Sequence, residues 1–243
     1  MVEVWTPDSS LARFIDHTLL KPSASEQDIL QLCKEAIAYK FYSVCVHGSW
    51  VAFCRKQLAG SDVAISAVCG FPLGAMATKV KVFEAVSAVE DGAREIDMVL
   101  SIGAVLEGRL DSVSRDIAAV VKAVENRAIV KVILETGFLD DRQKVEASLA
   151  AEAAGAHYVK TSTGFGPGGA TEADIKLMRA SVAAGTGVKA SGGIRDRDTA
   201  ILMLRSGANR LGTSAGIAIV SPESTASAPG DSRAEGQSGS SLY

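Results

Sequence analysis

Lys160 stands in Tyr158-Val-Lys-Thr-Ser-Thr-Gly164, and Lys189 stands in Gly187-Val-Lys-Ala-Ser-Gly-Gly193. Each lysine follows a valine in an apolar, strand-like segment and runs into small, hydroxylated and glycine residues. Lysine is among the side chains least often buried. In a strand of a compact domain its ammonium must reach solvent, find an anion or lose its proton. Two such lysines on neighbouring strands repel, and repulsion lowers a lysine pKa. A free amine at neutral pH is the nucleophile that Schiff-base chemistry requires.

The elements that must position these lysines are legible in the same pattern. Val- and Ile-rich segments recur at 14–18, 43–47, 64–69, 95–100, 130–135, 158–163, 187–191 and 209–213, with helical periodicity between them. Ser25 caps a helix carrying Ile29, Leu32, Cys33, Ala36 and Ile37 on one face. Thr171 starts another, with Asp174 in its first turn, where the helix dipole favours a carboxylate. Residues 76–89 and 112–124 are apolar on a helical period. Glycine precedes the next strand at Gly60, Gly92, Gly155, Gly185 and Gly207, as a left-handed helix stop requires. Eight strand–helix units in 243 residues predict a single-domain (β/α)8 TIM barrel over 1–220. A doubly wound sheet needs no eighth strand and usually opens with a glycine fingerprint, which the first strand lacks. Residues 221–243, rich in Ser, Gly, Pro and Ala, bury too little apolar area to offset their ordering entropy and are predicted to be a disordered tail.

Bulk properties narrow the function. Hydrophobic residues are 47% and charged residues 22% of the chain, and the net charge is −3, which gives neither nucleic acid nor a membrane a basic stripe. The four cysteines form no C-x-x-C pair, so buried free thiols in a reducing cytoplasm are expected. No apolar run approaches the ~20 residues of a membrane span. His17, His47 and His157 are too scattered for a metal site.

Strand parity then sorts the polar residues, because alternate side chains point to opposite faces. Asp16 with Thr18, Cys45 with His47, Asp97, Glu135, Lys160 with Ser162, and Lys189 with Ser191 fall on one parity. Ile15, Val44, Val46, Ile96, Val159 and Val188 fall on the other and would meet the helices. The polar set is expected at the C-terminal mouth, where barrel enzymes keep their chemistry. Glu135 is expected to orient a lysine or a water. Cys45 would line the mouth, either as a reactive thiol beside the aldehyde site or, the favoured reading, as a small buried filler. Ser191-Gly-Gly-Ile-Arg195 after strand seven and Gly212-Thr-Ser-Ala-Gly216 after strand eight offer bare backbone N–H groups to a phosphate, with Gly192, Gly193, Gly212 and Ser214 as the cradle. Ser162-Thr-Gly164 opens a further glycine loop after strand six.

Ile15-Asp-His-Thr-Leu-Leu-Lys-Pro22, Glu95-Ile-Asp-Met-Val99, Val159-Lys-Thr-Ser-Thr-Gly164 and Val188-Lys-Ala-Ser-Gly-Gly-Ile-Arg195 closely resemble the deoxyribose-phosphate aldolase family. The likeness runs from about Phe14 to Ile217. It implies a class I aldolase that cleaves 2-deoxy-D-ribose 5-phosphate reversibly to D-glyceraldehyde 3-phosphate and acetaldehyde, with no metal and no cofactor. By motif, Lys160 resembles the Schiff-base lysine, Lys189 the second lysine that lowers its pKa, and Asp97 the acid/base carboxylate. Asp16 and Thr18 resemble hydroxyl-binding residues, and Gly164, Gly192, Gly193 and Ser214 the phosphate cradle. Arg195 and Arg197 are the strong cations near the mouth besides the lysines, so backbone N–H groups carry most of the phosphate binding. Family barrels are commonly homodimers or larger, and a family tail often ends in a tyrosine that helps protonate the enamine, a role that would fall to Tyr243. The last helix is shorter here than in many members. A phosphosugar isomerase or a non-catalytic phosphosugar-binding barrel is the competing reading, and neither gives the two lysines a shared purpose.

Overall fold

The computed structural model describes residues 2–221, so the expected tail and Tyr243 lie outside the described residues. Eight parallel strands close into a barrel in sequence order. They are β1 Ile15–Thr18, β2 Ser43–Val46, β3 Ala64–Cys69, β4 Glu95–Val99, β5 Ile129–Ile133, β6 Tyr158–Lys160, β7 Gly187–Ser191 and β8 Arg210–Thr213. Each overlaps an expected segment; several are shorter at one end, and β5 starts one residue earlier, at Ile129. Phe14 closes a 3-10 turn instead of opening β1, and residues 161–163 continue β6 as loop.

Helices fill the crossovers: α1 Glu26–Tyr39, α2 Val51–Gln57, α3 Thr78–Asp91, α4 Ile102–Leu106, α5 Leu110–Ala123, α6 Asp141–Ala153, α7 Glu172–Ser181, α8 Arg197–Arg205 and α9 Gly216–Val220. Local chemistry sets their starts. Ser25 and Asp28 form a reciprocal capping box on α1. Asp140 and Gln143 do the same for α6. The Thr171 hydroxyl accepts the Asp174 N–H at α7. The last helix is the short stub expected.

The main core lies between strands and helices. Ile15, Val44, Val46, Ile96, Val159 and Val188 all join it, as parity requires. A buried ion pair crosses this layer: Lys81 Nζ donates to Asp116 Oδ2 at 2.6 Å and to the Val99 carbonyl at 2.9 Å, tying α3 and α5 to the end of β4. Inside the barrel the filling differs. A small apolar cluster of Leu20, Cys45 and Val68, with Phe71 against it, plugs one side below the mouth. The rest of the lumen is mostly polar, with charged side chains at its centre. No helix among the described residues is long and apolar enough to cross a membrane.

Candidate active site

Register decides which side chains meet. Asp97 on β4 is level with Lys131 on β5, and Lys160 on β6 is level with Lys189 on β7. All four are fully or almost fully buried. Asp97 is the hub. Its Oδ2 accepts from Lys160 Nζ at 2.8 Å and from Lys189 Nζ at 2.7 Å, and its Oδ1 accepts from Lys131 Nζ at 2.6 Å and Ser66 Oγ at 3.0 Å. Lys189 also donates to Asp16 Oδ2 at 2.5 Å. Lys131 reaches Glu95 Oε2 at 2.6 Å. Arg210 Nη1 closes the lattice against Asp16 Oδ1 at 2.9 Å and Glu95 at 3.3 Å, and its guanidinium lies 3.4 Å from the centre of the Tyr42 ring.

The lattice therefore holds three carboxylates (Asp16, Glu95, Asp97) and four basic side chains (Lys131, Lys160, Lys189, Arg210). Loss of one proton brings the charges into balance, and the environment singles out the group that gives it up. Burial, then the proximity of Lys189, lowers the Lys160 pKa against the opposing pull of Asp97. Burial acts on Lys189 in the same sense, but Asp16 and Asp97 outweigh it and raise that pKa. Lys131 is held well above its ordinary value by Asp97, Glu95 and Asp16 despite burial. Asp97, though desolvated, is kept well below the usual carboxylate range by Lys131, Lys160 and Lys189.

Access divides the lysines as well. A cavity of about 250 Å³ opens at the C-terminal mouth, and Lys160 lines its floor while Lys189 and Lys131 do not. Thr18, Gly164, Ser191, Gly192, Gly193, Gly212 and Ser214 line it too, joined by Lys21, Thr163, Phe165 and Arg195. Gly192 and Gly193 take φ of 88° and 80°, conformations open to glycine that turn the loop back over the mouth. Gly212 has a second reason to be glycine. A Cβ there would stand 3.0 Å from Lys189 Cε and 3.1 Å from Ser191 Cβ, and Lys189 is clamped by two carboxylates. Gly212→Ala should cost about 1–3 kcal/mol of stability by overpacking and lower kcat roughly tenfold by displacing Lys189, as read by thermal unfolding and steady-state kinetics. A wild-type kcat in a destabilised variant would show that Lys189 needs no such freedom.

Several expected residues lie elsewhere. Asp16 is wholly buried beneath the cavity, bound to Lys189, Arg210 and Ser43. Arg197 turns away and donates to the Ile219 carbonyl. Ser162 lies behind Ser191, which donates to its carbonyl at 2.6 Å, and the Ser162 hydroxyl is buried with no partner. Glu135 departs furthest from expectation. β5 ends at Ile133, Glu135 adopts φ 57°, and its carboxylate accepts from the Thr163 N–H and hydroxyl, with no lysine bonded to it. Strand parity stops applying where the strand stops, so Glu135 orients neither Lys160 nor Lys189. Cys45 is buried filler as expected, its thiol pKa pushed up by desolvation and by Asp97. His157 Nδ1 accepts the Val130 N–H, a structural role.

Residues 11–221 match the family model described as DeoC/LacD family aldolase. The chain belongs to the DeoC/LacD aldolase family. Curated relatives of this aldolase include the deoxyribose-phosphate aldolase of Alkaliphilus oremlandii, 52% identical over 214 residues, which span 88% of this chain and 96% of the relative. That of Thermococcus gammatolerans is 54% identical over 213 residues, 86% of this chain and 95% of the relative. Among solved structures, a tetrameric deoxyribose phosphate aldolase from Aeropyrum pernix superposes with a TM-score of 0.81 at 35% identity, covering 86% of this chain and 89% of that one. The aldolase is thus a lyase acting on small molecules through a barrel whose lumen is a charged lattice.

Sequence reasoning missed Lys131, Glu95, Arg210 and Lys21. The first three were open to the parity test. Glu95 is two residues before Asp97, Lys131 sits between Val130 and Val132, and Arg210 precedes the outward Leu211.

Proposed function

We propose that this aldolase cleaves 2-deoxy-D-ribose 5-phosphate reversibly to D-glyceraldehyde 3-phosphate and acetaldehyde, with Lys160 as the Schiff-base residue. The observation that carries this reading is a coincidence at one atom. The lysine whose pKa is lowered is also the lysine that lines the cavity, and Gly192, Gly193 and Ser214 line it with it. Names of relatives at about 50% identity supply the substrate.

The chemistry follows in balanced steps. The Lys160 amine adds to C1 of the open-chain sugar, and water leaves to give an iminium. The C3 hydroxyl gives up its proton, the C2–C3 bond breaks, and its electron pair flows into the iminium to form an enamine. Glyceraldehyde 3-phosphate departs. The enamine takes a proton at C2, water adds, and acetaldehyde leaves as the amine is restored. Asp97 accepts hydrogen bonds from Lys160 and Lys189 on a single oxygen, so it suits a relay that passes a proton through water to and from the cavity. Its depressed pKa favours passing a proton over holding one. Thr18, which lines the cavity, would bind a substrate hydroxyl, and Asp16, bonded to Lys189, would hold that lysine in place. Backbone N–H groups of Gly192, Gly193 and Ser214, with Arg195 and Lys21 at the rim, would hold the phosphate. A phosphosugar isomerase would leave the free amine of Lys160 without a role.

Borohydride added with acetaldehyde should fix a reduced two-carbon unit on Lys160, located by peptide mass spectrometry, and Lys160→Ala should lose both the adduct and turnover. An unmodified Lys160, or the same adduct in Lys160→Ala, would remove the Schiff-base reading. We further infer a cytoplasmic homo-oligomer, a dimer or larger. Four buried free cysteines fit a reducing compartment, and the Aeropyrum relative is a tetramer.

A further inference from the structure

Glu135 is a buried carboxylate that the mechanism leaves unused. It is 1% exposed, and its carboxylate hydrogen bonds go to Thr163 alone, with no cation among the described residues beside it. It also holds φ 57°, a left-handed conformation uncommon for a residue with a side chain. Such strain persists where the surroundings fix it, and it concentrates at ligand clamps.

The surroundings show what is clamped. The Thr163 hydroxyl donates to Glu135 Oε2 and accepts the Phe165 N–H at 3.0 Å, so the carboxylate fixes the start of the loop that carries Gly164 and Phe165 into the cavity lining. The loop also leans directly on the Glu135 turn, on its backbone and on the Glu135 side chain. A Cβ on Gly137 would meet the Pro167 carbonyl oxygen at 1.8 Å, and a Cβ on Gly166 would meet Glu135 Cδ at 2.7 Å. At its far end the Ala170 N–H donates to the Gly192 carbonyl at 2.9 Å, and a Cβ on Gly169 would meet that oxygen at 2.5 Å. The loop after β6 is therefore held between Glu135 and Gly192. Its Phe165 ring also meets Phe71 edge-on, with centroids 5.4 Å apart.

We propose that Glu135 is a positioning residue that sets the affinity of the cavity for the phosphorylated end of the substrate, acting through Thr163 on the loop that abuts Gly192. The proposal rests on the phosphosugar reading above. Glu135 touches neither the cavity nor the lysine lattice, so its loss moves phosphate binding and leaves amine chemistry in place.

The test compares Glu135→Ala and Glu135→Gln with wild type on 2-deoxyribose 5-phosphate and on unphosphorylated 2-deoxyribose, with borohydride trapping of acetaldehyde on Lys160 as an independent readout. Glu135→Ala should raise KM for the phosphorylated sugar roughly ten- to hundredfold. KM for 2-deoxyribose, kcat and the trapping rate should stay within about twofold. Glu135→Gln, which keeps one acceptor oxygen for Thr163, should recover much of the loss. Parallel losses on both sugars, a fall in trapping, or an unchanged KM ratio in Glu135→Gln and Glu135→Ala would each overturn the proposal. If Glu135→Ala does not fold, Glu135→Gln and Thr163→Val are read on the same KM ratio. Failure of wild type to trap acetaldehyde would instead strike at the aldolase reading.

Discussion

Lys189→Leu should shift the acid limb of the pH–rate profile upward by on the order of 1–3 pH units and lower turnover at pH 7 by about ten- to a thousandfold. The sign follows from the lattice. Below its pKa Lys160 is an ammonium and cannot attack a carbonyl, so a lower pKa leaves more free amine at neutrality. Burial is the larger cause of that lowering, and the Lys189 charge is the second. Leucine keeps the site dry but removes the charge. It also releases Asp97 Oδ2, which Lys160 then holds alone. Both changes stabilise the ammonium and raise its pKa. Two charges about 4 Å apart interact by about 4 kcal/mol at an effective dielectric of 20, near three pKa units, and the shared carboxylate between them reduces this. The profile separates two roles. If Lys189 serves only as a proton carrier, the rate falls at every pH while the limb stays in place. A limb that stays where it is in wild type would end the electrostatic account.

How much of this lattice the sequence displays depends on where each residue sits along its strand. Lys160 and Lys189 are conspicuous because they interrupt valine-rich strands close to glycine loops, and Asp97 because it stands between Ile96 and Met98 in the middle of a strand. Lys131 belongs to the same layer as Asp97, yet no loop signal follows it closely, and an eye trained on strand ends passes over it. Glu95 and Arg210 open their strands, a place where charge usually means solvent. Here both are almost fully buried, with the Arg210 guanidinium against the Tyr42 and Tyr158 rings. Glu135 fails for the opposite reason. Alternation holds only while φ and ψ stay extended, and nothing in Ile133-Leu-Glu-Thr136 announces a left-handed residue of ordinary side chain. The barrel itself is plainer in sequence than its lumen. Strands and helices are set by local periodicity and caps, whereas the partners of Asp97 come from strands 31 to 92 positions away.

Asp97→Asn is the substitution that tests the whole lattice, because it removes one negative charge from beneath three lysines while nearly keeping shape. Activity should fall by orders of magnitude, since the amide neither relays a proton nor balances the ammonium groups. Stability should fall by about 3–5 kcal/mol at pH 7, the usual cost of stranding buried charges. The pH dependence of that loss is the sharper result. In wild type Asp97 is depressed below its unfolded value, so its contribution is complete above the unfolded carboxylate range and disappears as the solution is acidified through the folded pKa. At pH 7 to 9 that contribution is constant. In the variant, Lys160 loses the only carboxylate bonded to it among the described residues and desolvation pulls its pKa further down, whereas Lys189 keeps Asp16. A lysine depressed in the folded state destabilises the fold while the unfolded chain still binds the proton, and the penalty shrinks as pH climbs towards the unfolded value near 10.4. The difference in melting temperature between wild type and Asp97→Asn should therefore be largest near neutrality and narrow by pH 9, measured by calorimetry at fixed ionic strength. A gap that is constant or widens over that range would mean that Asp97 is not the anion that opposes burial in setting the Lys160 pKa.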